Sequence, residues 1–106
     1  KMELKSVFHN NILKGTIVYI DNYGNAITNI TKDEFNKHNK SNNFAILFGR
    51  EDDNITKIST KYKDVPIAEK LAIFGENKFL QIAINQGKAN KLLGLNMHEI
   101  IRIEFK

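Results

Sequence analysis

The chain of 106 residues contains no cysteine, which removes disulfides, thiolate nucleophiles and cysteine-bound zinc or iron together. That absence fits a cytoplasmic protein. No apolar run approaches the roughly 18 residues that span a bilayer, and the opening KMELKSVFHNN has no uninterrupted apolar core of a signal peptide. The expectation is a soluble chain with no membrane partner. Arginine is scarce, with only Arg50 and Arg102, and the lysines behind the net charge of +4 are scattered. Scattered charge reads as a solvated surface and gives no nucleic-acid stripe.

Catalytic constellations are missing as well. His9, His38 and His98 stand apart from other ligand types, and no HExxH-like spacing exists. No metal site is expected. Gly87-Lys88 lacks the preceding glycine of a phosphate-binding loop. Glu51, Asp52 and Asp53 are consecutive after Gly49 and read as a solvated hairpin turn, since neighbours on a turn need not converge on one bond. No nucleophile stands beside a base.

What is present is a texture of short apolar runs rich in β-branched residues, separated by Gly, Asn and Asp. This is the mark of strands joined by turns. Strands are predicted over Gly15 to Ile20, Ala26 to Ile30, Phe44 to Phe48, Ile55 to Ile58, Leu71 to Phe74, Phe79 to Ile84 and Ile100 to Phe105. Ile101, Ile103 and Phe105 alternate with Arg102 and Glu104, the period-two pattern of a half-buried strand. Thr31 with Glu34 three residues on forms a capping box for a short helix ending near Asn39. A second helix is predicted from about Gly87 to Leu93, with Ala89, Leu92 and Leu93 apolar and Gly94 as a left-handed cap. Many strands with so little helix predict a mainly β protein, a small antiparallel barrel with one or two short helices. Residues 1–14 read as a linker or incoming strand from a missing N-terminal domain, and 15–106 as a C-terminal β-barrel.

The densest stretch of functional groups is GTIVYIDNYGNAITNI, Gly15 to Ile30. On spacing alone it is a β-hairpin whose tip, Asn22, Gly24 and Asn25, supplies turn chemistry. The tip also gathers a carboxylate, a phenol and three amides, and loops at barrel ends are where ligands are met.

This stretch resembles the S-adenosylmethionine hydroxide adenosyltransferases, relatives of the fluorinases and chlorinases, in their C-terminal domain. The matching pieces are Gly15, Ile20-Asp21, Tyr23-Gly24-Asn25 and Thr28-Asn29-Ile30. Tyr62-Lys63-Asp64-Val65 is similar to the family's aromatic-x-Asp-Val segment, and Phe79 to Leu95 to its strand-then-helix ending. The resemblance runs in order from Gly15 to Phe105. It implies a homotrimer in which the N-terminal α/β domain of one subunit and the barrel of its neighbour enclose S-adenosylmethionine, which is hydrolysed to adenosine and L-methionine without a further cofactor. The residues that activate water lie in the other domain, so the isolated chain is expected to be inactive.

For this chain the resemblance implies binding roles. Asp21 would meet the methionine ammonium, Asn25 the adenine edge, and Tyr23 and Tyr62 the adenine faces, while Asn85 and Gln86 lie on a turn reaching the base. Where the family has an Asn-Ser-x-Gly turn near the methionine carboxylate, this chain has Gly75-Glu76-Asn77-Lys78. A carboxylate about 4 Å from the substrate's own would repel it by up to roughly 4 kcal/mol at an effective dielectric of 20. Either Glu76 turns away and Asn77 or Lys78 takes over, or the substrate differs. Two other readings are a stand-alone oligonucleotide-binding-like barrel, with Tyr19, Tyr23, Phe44 and Tyr62 stacking bases, and a purely structural oligomerisation domain.

Overall fold

In the computed structural model, which describes residues 5–49 and 54–106, nine strands form one mainly β, nearly closed barrel-shaped sheet. The strands are β1 (Val7–His9), β2 (Ile12–Ile20), β3 (Ala26–Thr31), β4 (Phe44–Leu47), β5 (Asn54–Ile55), β6 (Ile58–Ser59), β7 (Lys70–Phe74), β8 (Phe79–Ile84) and β9 (Ile100–Phe105). The helices are α1 (Lys32–His38) and α2 (Ala89–Leu92), with a 3-10 turn at Tyr62–Asp64. The order across the sheet is β5-β4-β9-β2-β3-β8-β7-β6, with β1 paired to β2. The predicted strand at Ile55 to Ile58 is two strands: Ile55 pairs with Ile46 of β4, while Ile58 pairs, in parallel, with Ala72 of β7. Thr56 and Lys57 therefore carry the chain from one end of the strand order to the other. Covalent continuity draws the barrel's seam together where no ladder crosses it.

Strand β2 makes the corner. Its first half pairs with β9 from Ile12 to Thr16, and its second half with β3, with a register shift between Ile17 and Tyr19. A bulge of this kind bends a strand and raises its twist, which is how a sheet curls into a barrel. Gly15 lies just before the bulge, in the ladder with β9, and a Cβ there would come within 2.5 Å of both Asn29 Oδ1 and Ile30 Cγ1. Only glycine lets β2 pass that close to β3. Because Ile12–Lys14 already pair with β9, the ladder begins ahead of Gly15.

Alternating residues of these strands fill the interior: Leu13 and Ile17 of β2, Ile46 of β4, Leu80 and Ile82 of β8, and Ile101 and Ile103 of β9 are fully buried. Thr28, also buried, sits where β3 and β8 shift register. Its hydroxyl donates to the Leu80 carbonyl at 2.9 Å and accepts from the Ile30 N–H at 3.1 Å, replacing ladder bonds that the irregularity removes.

One barrel end is closed by α1. Of the predicted capping box the Thr31 half is in place, with Thr31 Oγ1 accepting from the Glu34 N–H at 3.1 Å, while the Glu34 carboxylate lies by His38. The helix's one buried residue, Phe35, meets Phe44 edge-on at 5.0 Å between ring centres and packs near Phe74 and Phe105. His38 at the helix end stacks on Phe8 of β1 and lies 3.4 Å from Glu34, so its ring serves this corner of the fold. The second helix is shorter than predicted, one turn followed by Gly94 at φ 65°. That early reversal leaves Leu92 exposed and sends Leu95 into the core instead. The acidic turn expected at Glu51 to Asp53 lies outside the described residues. No helix among the described residues is long and apolar enough to cross a membrane.

Removing the α1 cap in Thr31→Ala should cost about 1 kcal/mol, whereas emptying the aromatic plug in Phe35→Ala should cost about 3–5 kcal/mol. Equilibrium denaturation measures both. Equal losses would mean that the helix is held by its cap and not by its buried ring.

Candidate functional site

At the barrel end away from α1, the β2–β3 hairpin tip forms one wall of an open cleft of about 620 Å³. Its lining includes Asp21, Tyr23, Asn25, Tyr62, Gln81 and Gln86. That volume lies within the ordinary range for small-molecule sites. The hairpin tip is held by its own carboxylate. Asp21 Oδ1 accepts the backbone N–H groups of Tyr23 and Asn25, both at 2.9 Å, and Oδ2 accepts from Asn25 Nδ2 at 3.2 Å. An Asp folding its own turn in this way is ordinary turn chemistry. Here it also fixes two side chains at a cleft: Tyr23 is thrown outward, 77% exposed, while Asn25 is drawn in, 6% exposed.

The tip leans on Lys88 and the first turn of α2. The Asn90 N–H donates to the Gly24 carbonyl at 2.8 Å, and Gly24 has φ 81°. A Cβ at Gly24 would lie 2.6 Å from Lys88 Cβ and 2.7 Å from Asn90 Oδ1. Both conformation and space demand glycine here.

Tyr62 reaches the cleft from the opposite side, and several bonds place it. Asp64 Oδ2 accepts from the Thr60 N–H, the Thr60 hydroxyl and the Lys61 N–H, tying the 3-10 turn around Tyr62. These bonds, the Thr60 N–H first, hold the Asp64 carboxyl below its ordinary pKa. Just beyond, Val65 packs on Leu71, Ile73 and Ala83 across the outer face of β7 and β8. Asn85 locks that loop down: its side-chain amide donates to the Val65 carbonyl at 2.8 Å, and its backbone exchanges bonds with Ala68 and Glu69.

A directional hydrogen-bond chain crosses the cleft floor. Asn25 Nδ2 donates to Asp21 and to Tyr62 Oη at 3.4 Å, and Tyr62 Oη lies 3.4 Å from Gln81 Oε1, which can only accept. Partial burial, followed by the nearby Asp21 carboxylate, raises the Tyr62 pKa; the bond from Asn25 acts in the opposite sense. The phenol is therefore neutral at physiological pH and free to donate to Gln81.

Of the residues singled out in the sequence, Asp21, Tyr23, Asn25, Tyr62 and Gln86 share this cleft. Glu76 and Asn77 do not line it; they are exposed on the β7–β8 turn, where Asn77 Oδ1 accepts from the Phe79 N–H at 3.1 Å. The side chain of Asn85 faces the Val65 loop. Gln86, at φ 58°, holds a left-handed conformation unusual for a residue with a side chain, on the turn between β8 and α2. Three polar lining residues were not foreseen as site residues: Asn22, which the sequence offers only as turn chemistry, Gln81 and Lys88. Gln81 was foreseeable as the polar residue alternating with buried Leu80 and Ile82, but the pairing order that sets it beside Tyr62 was not. Among the described lining residues, Asp21 and Lys88 are the carboxylate and the ammonium. No three described His, Asp or Glu side chains gather as a metal site. The arrangement offers aromatic surface, amides and one pair of opposite charges, which suits binding and orienting a planar polar ligand.

Fold and cleft together define a small β-barrel domain with an open polar and aromatic cleft at one end. Residues 15–102 match the family described as SAM hydroxide adenosyltransferase C-terminal domain, and the chain belongs to that family. Among solved structures it is similar to an uncharacterized conserved protein from Thermotoga maritima, with a TM-score of 0.80 and 29% identity over 98% of this chain and 40% of that one. It also shares its fold with a conserved hypothetical protein from Thermus thermophilus, at TM-score 0.68 and 24% identity over 85% of this chain and 34% of that one. A comparison with curated proteins finds no match. The chain thus spans less than half the length of either structural relative. A C-terminal domain family implies an N-terminal partner domain in the same protein.

Gly24→Ala should lower the thermal midpoint, since the left-handed conformation alone costs a non-glycine residue about 1–2 kcal/mol, before the clash with Lys88. A midpoint unchanged within error would contradict the docking of the tip on α2. The raised Tyr62 pKa has a signed consequence. Its stabilising effect is complete below about pH 10 and is lost as pH rises through the higher folded value. Denaturation between pH 9 and 12 (about one to two units either side of the phenol's ordinary value) should show a shallower alkaline decline for Tyr62→Phe than for the wild type; parallel curves would contradict the assignment.

Proposed function

We propose that this chain is the substrate-positioning domain of an enzyme that hydrolyses S-adenosylmethionine to adenosine and L-methionine. The observation that carries the reading is the convergence, in a member of this family, of Asp21, Asn25 and Tyr62 on one open cleft. In the reaction, a water oxygen bonds to the 5′ carbon as the carbon–sulfur bond breaks. The bonding pair goes to sulfur, giving neutral methionine thioether, and the proton lost from water passes to a base. The described residues of the cleft offer no suitable base: Asp21 is occupied by its own turn and Tyr62 is held neutral.

The chain's share is therefore geometric. A base against Tyr62 gains roughly 1–3 kcal/mol from stacking, and a substrate held in line for attack gains much of the rate that a bimolecular encounter would lack. The cleft is open, and we assign its missing wall to the N-terminal α/β domain, supplied by a neighbouring subunit of a homotrimer. The scattered lysines weigh against the nucleic-acid alternative, since Lys88 alone of them lines the cleft among the described residues. Water, not halide, is the proposed nucleophile.

Product analysis by chromatography, after incubating the full-length protein with S-adenosylmethionine, tests the proposal. Adenosine and methionine in equal amounts are expected. Recovery of unchanged substrate would refute it, and a 5′-halogenated adenosine formed only with added halide would overturn the choice of water.

A further inference from the structure

We infer that Asp21 acts as a positioning residue for base selection: by holding the amide of Asn25 in one orientation, it makes the cleft accept a 6-amino purine and refuse a 6-oxo purine. The inference rests on the adenosine reading above and extends it.

An Asn side chain presents a donor and an acceptor of nearly equal shape, and a free one can rotate to suit either kind of base edge. Asn25 cannot. Asp21 Oδ2, at 3.2 Å, is an ionised carboxylate oxygen and can be approached only by the NH₂ group. The second hydrogen of that NH₂ points to Tyr62 Oη, whose own hydrogen goes to Gln81 Oε1. Both Nδ2 hydrogens are thus committed, and no described group donates to Oδ1. In a residue that lines the cleft, the carbonyl is the part of the amide left for a ligand. The carboxylate cannot swing away to release the amide, because Oδ1 is bound by the Tyr23 and Asn25 N–H groups of its own turn.

A carbonyl fixed in a cleft bonds to an exocyclic amine and opposes another carbonyl. Sites that read one hydrogen-bonding group discriminate strongly against the analogue that lacks it. Asp21 thus acts on the base through Asn25, a role separable from any contact its Oδ2 makes with the methionine ammonium, because adenosine and inosine carry no ammonium.

The test is competitive binding of adenosine and inosine to the full-length protein, wild type and Asp21→Asn. Adenosine should bind the wild type at least about tenfold more tightly. In Asp21→Asn the new Oδ1 still accepts the two backbone N–H groups, so its NH₂ faces Asn25 and turns that amide over. The preference should then fall to near unity or invert. An unchanged ratio, even with both affinities reduced, would overturn the inference. Tyr62→Phe, which leaves Asp21 in place, should keep the preference; its loss there would assign the orientation to Tyr62 and overturn the role of Asp21. If neither nucleoside binds the wild type, the adenosine reading itself fails. Hydrogen exchange of the Asn25 side-chain amide by NMR still decides the hold: slower in wild type than in Asp21→Asn supports it, and equal rates refute it.

Discussion

The hydrogen bonds that Asp21 accepts from its own hairpin are the interaction on which the site depends. Five residues separate Ile20 from its partner Ala26, and a loop of that length has many conformations unless something selects one. A carboxylate bound by two backbone N–H groups and a side-chain amide selects it strongly, since bonds to an ionised acceptor are about twice as strong as neutral ones. Three consequences follow from this one side chain. The tip is closed, Gly24 is pressed onto Lys88 and the first turn of α2, and Asn25 is turned inward with its amide fixed.

The barrel brings the rest of the cleft to that tip. Strand β2 changes partners at its bulge, so the sheet curls, and the two-residue crossing at Thr56 and Lys57 leads the chain around to the outer face of β7 and β8. From there the segment held by Asp64, Val65 and Asn85 delivers Tyr62 to within reach of Asn25, 37 positions earlier in the chain. None of these holding groups lines the cleft. The split between residues that face the ligand space and residues that hold them explains why a motif such as Tyr62-Lys63-Asp64-Val65 must be read residue by residue. Its tyrosine faces the cleft while its aspartate and valine anchor the turn.

Much of the fold was legible because it is written in local signals. Alternation in Ile101, Ile103 and Phe105, the Thr31 cap and the hairpin at Asp21 to Asn25 each rest on a few neighbouring residues, and each is found in place. The failures are non-local. One apolar run at Ile55 to Ile58 became two strands because pairing partners on opposite sides of the seam compete for it. Leu92 faces solvent because its helix stops after one turn. Of the candidate site, the side chains at the hairpin tip could be named in advance. Their connectivity could not, since the Asn25–Tyr62–Gln81 chain exists only once β3, β8 and the loop after β6 are side by side. Asn85 illustrates the same limit: one amide in a turn suggests a ligand contact, and only the folded chain reveals the Val65 carbonyl it holds.

A crystal structure of the full-length protein with adenosine bound tests the central claim most directly. The base should lie in the cleft against Tyr62, with its 6-amino group within hydrogen-bonding distance of Asn25 Oδ1 and Asn25 Nδ2 still on Asp21. Adenosine bound elsewhere, or Asn25 released from Asp21 with its Nδ2 turned to the base, would contradict it.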